Sequence, residues 1–285
     1  DTPNYFIESR STPLCNVPAM RFGSMPRDGG GFVLSAEERE ELIKSEPLAE
    51  KWIKPYIGAA EFLKNKERYC LWLVDAEPGE INKCPSVKKR IEFVRQFRSE
   101  SKAAGTRKFA LTPTVFCQIA QPDTNYIMVP KTSSGKRHYL PLGFKDKDTI
   151  ASDLVFLIPD AGLYEFGVLM SNVHNAWMRV VAGRLKSDYR YSKDIVYNNF
   201  PWCNPTAEQK EKIEQTAQSI LDVREKFSNS SLADLYDPLI MPAELRKAHQ
   251  ENDKAVMKAY GFDIKTTTAE ICVDKLMRMY DELVK

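Results

Sequence analysis

The pattern of apolar and polar positions divides the chain into a mixed first part and a helical last part. Ser35 followed three residues later by Glu38 marks a helix start: the hydroxyl accepts from the third helical amide while the glutamate reaches back to the cap. Trp52 to Lys64 is mixed and aromatic. Tyr69-Cys70-Leu71-Trp72-Leu73-Val74 is a continuous apolar run of strand length and predicts a buried strand. After a polar connection from Asp75 to Lys83, Ser86 is expected to cap a helix running to about Ala104, with Val87, Ile91, Val94 and Phe97 as its apolar stripe. Val115 to Ile119, Tyr126 to Pro130 and His138 to Leu142 read as strands, the last two joined across a polar turn from Lys131 to Arg137. Leu154 to Ile158 reads as another strand, ended by Pro159. From Leu163 to Val181 the spacing is helical, with Val168, Leu169, Val173, Trp177, Val180 and Val181 as core positions. His174 lies on this helix without a nucleophile or ligand partner and reads as a hydrogen-bonded structural histidine.

After Trp202 the strand signals stop. Helices are expected over about 206–226, 242–259 and 267–284, separated by the Phe227 to Pro238 break and a stop at Gly261-Phe262. The predicted class is α+β. An irregular lead-in over 1–34, rich in Pro, Gly and Asn, precedes a mixed α/β domain over 35–204 and a small all-helical domain over 205–285.

One stretch carries an unusual pattern. From Gly183 to Ser192 the charged residues Arg184, Lys186, Asp188 and Arg190 fall at every second position. On one extended strand they share a face, with Leu185, Ser187, Tyr189 and Tyr191 on the other. Lys and Arg donate to guanine O6 and N7 and Asp accepts from cytosine N4, so such a face suits reading base edges. An edge strand whose charges blunt aggregation has the same alternation.

The chain has 285 residues and a net charge of only +2, so a nucleic-acid surface must come from clustered rather than overall basicity. The helix expected after Ser86 supplies one cluster: Lys88, Lys89, Arg90, Arg95, Arg98 and Lys102, continued by Arg107 and Lys108. Its one-signed excess suits a phosphate backbone, and a solvated face is the plainer alternative. Lys131, Lys136, Arg137 and His138 form a second basic group at a turn. Six scattered cysteines without a Cys-x-x-Cys pair, and three histidines, indicate neither a zinc site nor a disulfide framework. No apolar run is long enough to span a bilayer, and reduced thiols point to the cytoplasm. Gly29-Gly30-Gly31 lacks the Gly-Lys-Ser/Thr of a phosphate loop. There is no nucleophile elbow, zinc-protease motif or dinucleotide fingerprint, so these residues read as a binding module rather than an enzyme.

Three segments together resemble one family: Arg68-Tyr69-Cys70-Leu71-Trp72-Leu73; Ile150-Ala151-Ser152-Asp153-Leu154 with Phe166-Gly167-Val168-Leu169; and Gly183 to Tyr191 with Tyr197-Asn198-Asn199-Phe200-Pro201-Trp202. The whole chain resembles the C-terminal half of a single-chain type II restriction–modification enzyme or its orphan DNA adenine methyltransferase relatives. The resemblance implies a target-recognition domain to about residue 204 and then a C-terminal helical domain. It also implies a parent that methylates adenine N6 from S-adenosylmethionine in an upstream domain, with or without a fused endonuclease, and no cofactor in the present residues. The Asn-Pro-Pro-Tyr/Phe motif of that chemistry is missing; in Asn198-Asn199-Phe200-Pro201 the proline follows the aromatic. The chain opens on Asp1 rather than Met, which suggests that residues precede it.

Carried onto this sequence, the resemblance implies base reading by Lys186 with Asp188, by Lys131 with Asp153, and by Leu154 and Arg190 at a third base pair. Lys88, Lys89, Arg95, Arg98, Lys102, Arg107, Lys108, Lys136, Arg137 and Arg184 are the expected backbone contacts. The expected partners are double-stranded DNA and the upstream methyltransferase domain, with no membrane and a monomeric state. The competing reading is a protein-interaction module with a solvated basic helix and a helical docking tail.

Overall fold

The computed structural model describes residues 5–285, so the first four residues of the expected lead-in lie outside the described residues. In chain order the first elements are β1 (Arg21–Phe22), β2 (Val33–Leu34), α1 (Ala36–Ser45), β3 (Ile53–Ile57), α2 (Ala59–Lys64) and β4 (Tyr69–Leu71). Next come α3 (Pro78–Ile81), α4 (Pro85–Ser99) and α5 (Ala104–Lys108). The middle holds β5 (Tyr126–Pro130), β6 (Thr132–Ser133), β7 (Gly143–Lys145), β8 (Ile150–Ala151) and β9 (Val155–Pro159). Then follow α6 (Leu163–Leu169), α7 (Asn172–Val181), β10 (Gly183–Leu185) and β11 (Asp188–Arg190). The rest is helical: α8 (Ala207–Glu225), α9 (Leu232–Leu235), α10 (Ala243–Ala259) and α11 (Ala269–Val284). The class is α+β, as the sequence predicts.

The chain forms two compact units that are not contiguous in sequence. One comprises, of the described residues, 5–21, 124–145 and 156–285; the other comprises 22–123 and 146–155.

In the first unit, β5 lies between β9 and β7 and pairs antiparallel with β7, so the strand that returns beside it is Gly143–Lys145 and not the expected His138 to Leu142. Leu140 and Leu142 are instead buried in irregular chain. The helical run from Leu163 breaks at Ser171, whose hydroxyl caps α7 by accepting from the His174 amide. The core joins Phe166, Trp177 and Phe200 to Ile213, Leu245 and Leu276, so the C-terminal helices share one core with residues before 204. Thr206 and Thr268 cap α8 and α11 by accepting from the third helical amide. His174 is fully buried, with Nδ1 2.9 Å from the Leu169 carbonyl and Nε2 3.0 Å from the Tyr191 hydroxyl. Burial pushes its pKa down to about 4, so it stays neutral, and it is structural as expected. The Asn198-Asn199 amides are structural too: Asn198 donates to the Arg10 carbonyl and Asn199 to that of Glu8, docking the irregular N-terminal segment.

In the second unit the strand order is β2-β4-β3-β8, with β3 and β8 parallel. Ser35 and Glu38 form the expected capping box of α1. Helix α4 starts two residues earlier than expected, with Pro85 at its first turn and Cys84 in place of Ser86 as the cap residue; the Glu46 carboxylate accepts from the Ser86 and Val87 amides. It ends at Ser99 rather than Ala104. Val115 to Ile119 is not a strand: its only ladder contact among the described residues is a single bridge, Gln118 to Met25. The core is built on Phe32, Leu34, Trp52, Leu71, Val87, Val94 and Phe116.

Candidate nucleic-acid interface

The stretch from Gly183 to Arg190 is a hairpin, not one strand. Strands β10 and β11 pair antiparallel with Gly183 opposite Arg190, Arg184 opposite Tyr189 and Leu185 opposite Asp188. The chain reverses through Lys186 and Ser187, and Lys186 takes a left-handed φ of 57°, as primed two-residue turns require. The four charged residues therefore do not share a face, contrary to the alternation argument. Cross-strand partners lie on the same side of a sheet, so Asp188 and Arg190 share theirs with Leu185 and Gly183. Arg184 lies on the opposite side with buried Tyr189, its guanidinium 3.7 Å from the ring centre. Lys186 projects from the turn itself.

Strand β6 completes this small sheet, with Ser133 opposite Tyr189 and Thr132 opposite Arg190. It brings the 131–137 segment beside the hairpin. Lys131 is half-buried, its ammonium 4.9 Å from the centre of the Phe156 ring. A turn follows in which the Arg137 amide donates to the Ser134 carbonyl at 3.2 Å. The Gly135 amide donates to Asp188 Oδ1 at 3.4 Å, and Arg137 Nη1 donates to Ser133 Oγ at 3.3 Å. Burial lowers the Arg137 pKa, and the negative charge of Asp188 works against that. Arg137 is thus half-buried beside Asp188, while Lys136, Lys186 and Arg190 are exposed.

Asp153 and Leu154 belong to the other unit, on the turn that follows β8. The Asp153 amide donates to the Ser24 carbonyl and the Leu154 amide to Ser152 Oγ. Gly23 permits this turn: a Cβ there would lie 2.0 Å from the Ser152 carbonyl oxygen. Asp153 is half-buried, and Leu154 is 55% exposed.

The basic helix divides in two. Lys88, Lys89, Arg95, Lys102, Arg107 and Lys108 are exposed. Three of them have local partners: Lys88 donates to Asn82, Arg95 pairs with Glu92, and Arg107 donates to the Ser101 and Lys102 carbonyls. Arg98 is the exception and leaves the set of backbone contacts. It is fully enclosed, and its guanidinium donates to five carbonyls: Arg27 through Nε, Phe109 and Thr112 through Nη1, Pro26 and Val115 through Nη2, at 2.7–3.2 Å. A guanidinium has five N–H donors and all are spent.

Two features escaped the sequence. Leu185, expected on the face opposite Asp188, pairs with it across the hairpin and is 56% exposed on the same face. Gly135 looked like an ordinary turn residue, yet its Cα lies against the Ser187 carbonyl.

Family models place the chain. That described as the MmeI target recognition domain matches residues 1–204, and that of the MmeI C-terminal domain matches residues 205–285. The chain belongs to the MmeI family. A curated relative, DNA methyltransferase A of Bacillus subtilis (strain 168), is 39% identical over 286 residues, which cover 100% of this chain and 32% of that protein. A solved structure, described as the Type IIL restriction–modification enzyme MmeI in complex with DNA, superposes with a TM-score of 0.96 at 43% identity over 100% of this chain and 38% of that one. The chain thus spans about a third of the length of both. Among the described residues no helix is long and apolar enough to cross a membrane.

Proposed function

We propose that this chain is the DNA-sequence-reading part of a site-specific DNA methyltransferase of the MmeI family. The observation that carries the reading is the hairpin tip. It gathers an exposed cation on a turn, a carboxylate held by a neighbouring amide, and a second exposed cation on the same sheet face as that carboxylate. Those are the donor and acceptor types that tell one base pair from another in the major groove. The family match supports it, as does the likeness to an enzyme solved with DNA.

In this reading Lys186 and Asp188 address the two edges of one G·C pair, Lys131 and Asp153 those of another, and Leu154 and Arg190 a third pair. Lys89, Lys102, Lys108 and Lys136 meet phosphates, with Lys88, Arg95, Arg107, Arg137 and Arg184 behind them through bonds they must share or exchange. Phosphate contacts fix position and carry no sequence information. Residues 35–204 form the recognition domain and 205–285 the helical domain, and the protein acts as a monomer in the cytoplasm. Transfer of a methyl group from S-adenosylmethionine to adenine N6 belongs to a methyltransferase domain outside these residues, so the 285-residue chain alone binds no S-adenosylmethionine.

The test is duplex binding as a function of salt. Neutralising several phosphates gives a steep fall of log affinity with log salt, about 0.9 per phosphate. A protein-interaction module gives no such slope, and its absence would overturn the proposal.

A further inference from the structure

We propose that Gly135 is a positioning residue for base reading: its bare Cα is the stop against which the tip of the hairpin rests, and a side chain there displaces Lys186 and Asp188 from the bases. The proposal rests on the reading that these two side chains contact a base pair.

The geometry is closed from both sides. A Cβ at Gly135 would lie 2.4 Å from the Ser187 carbonyl oxygen and 3.5 Å from its carbon. Its φ is not in the left-handed region, so the requirement is for space and not for an unusual backbone. Ser187 is the second residue of the reversal, between Lys186 and Asp188. Its carbonyl is held from another direction by Arg184 Nη1, which donates to it at 3.2 Å while the guanidinium stacks on Tyr189. The glycine cannot easily retreat either. Its amide donates to Asp188, and Arg179 of α7 clamps the end of the turn by donating to the Arg137 and His138 carbonyls at 3.0 and 2.8 Å.

A carbon needs roughly 3.3 Å from a carbonyl oxygen, so a methyl group pushes turn and tip apart by about 1 Å. Base contacts tolerate less. Hydrogen-bond lengths span only about 0.5 Å, and a binding constellation must be held to about that precision. The same shift pulls the Gly135 amide off Asp188, freeing the carboxylate to rotate. Both effects fall on one base pair, whereas the neighbouring cations Lys136, Arg137 and Arg184 act on phosphates through their charge, which a shift of about 1 Å hardly changes.

The experiment compares the full-length protein with Gly135→Ala, Ser134→Ala and Lys186→Ala. Preferred sites are selected from a randomised duplex pool and sequenced, and affinities are measured for the selected duplex and for the duplex altered at one base pair. Lys186→Ala identifies the base pair concerned. Discrimination there is expected to be about tenfold to a hundredfold in the unaltered protein. Gly135→Ala should reduce it to within about threefold while preferences elsewhere, the salt slope and the melting temperature are kept. Ser134→Ala removes only the hydroxyl that accepts from the Lys136 amide in the same turn, and should discriminate like the unaltered protein.

Undiminished discrimination in Gly135→Ala overturns the proposal. So does an equal loss in Ser134→Ala, which would point to the integrity of the turn and not to the contact with Ser187. Loss of fold in Gly135→Ala overturns it as well, because the glycine would then serve the core. If Lys186→Ala changes no base preference, the base-reading assignment itself fails, and this result is distinct from the other three.

Discussion

Arg98→Ala should be one of the most destabilising single changes in the second unit, although Arg98 sits in a run of basic residues that looks like surface. The side chain ties α4 to Pro26-Arg27 and to three carbonyls between Phe109 and Val115. Hydrogen bonds from a charged donor are worth about 1.5–3 kcal/mol each, but five on one group do not add independently. Removing the guanidinium relieves its desolvation and leaves five enclosed carbonyls for water to reach. Broken buried networks of this kind cost about 3–5 kcal/mol. Arg98→Met, of similar length and without donors, should cost as much as Ala. Arg98→Lys keeps three donors on one nitrogen and should recover less than half. Arg95→Ala, whose partner Glu92 is as exposed as itself, should stay within about 0.5 kcal/mol. Urea denaturation followed by tryptophan fluorescence measures these differences, since Trp52 and Trp72 lie in this unit. A loss below about 1 kcal/mol for both Arg98→Ala and Arg98→Met would refute the reasoning, because it would mean that the carbonyls are satisfied without the side chain.

Other outcomes follow from the same structure. His174 is neutral in the fold, its pKa at about 4 against 6.5 unfolded. A depressed histidine costs stability as pH falls, because the unfolded chain takes up the proton first, so up to about 3 kcal/mol should be lost between pH 7 and pH 4. His174→Phe lacks this linkage: its stability deficit at pH 7 should narrow toward pH 4, and a constant gap in urea melts would exclude the assignment. Replacing Lys89, Arg95 and Lys102 together with Ala should weaken binding to all duplexes alike and reduce the salt slope by roughly 2–3; a loss confined to one sequence would make this helix a base reader. Calorimetry of the 285-residue chain with S-adenosylmethionine should register no saturable heat, and saturable binding would place a cofactor site in these residues.

The elements legible in the sequence are those set by local chemistry. The Ser35–Glu38 box, the three long C-terminal helices and the hydrogen-bonded structural His174 each follow from spacing or from the lack of a nucleophile or ligand partner, and tertiary packing leaves them in place. Arg98 occupies a core position that the spacing alone marks. Val87, Ile91 and Val94 continue by helical spacing to position 98, whereas Phe97, expected in the apolar stripe, is 43% exposed. An arginine at a core position is recognised only when the carbonyls it serves are known, and those lie on other segments. The hairpin was hidden for a different reason. Its reversal has no Gly or Asn; Lys186 adopts the left-handed conformation itself, and an alternating charge pattern runs through the turn without a break. Lys131 with Asp153 came from family resemblance alone, since the two residues belong to different units and no sequence spacing relates them.

Base preference after exchange of Lys186 and Asp188 is the most direct measurement. Lys186→Glu with Asp188→Arg keeps one carboxylate and one cation at the tip and swaps their places around Ser187. The full-length protein carrying both changes should select a site with G and C exchanged at one position and every other position unaltered. Each single change should bind far worse than the double, by about tenfold to a hundredfold, because it places two like charges before one donor and one acceptor. An active double variant that selects the original site would contradict base reading by this hairpin.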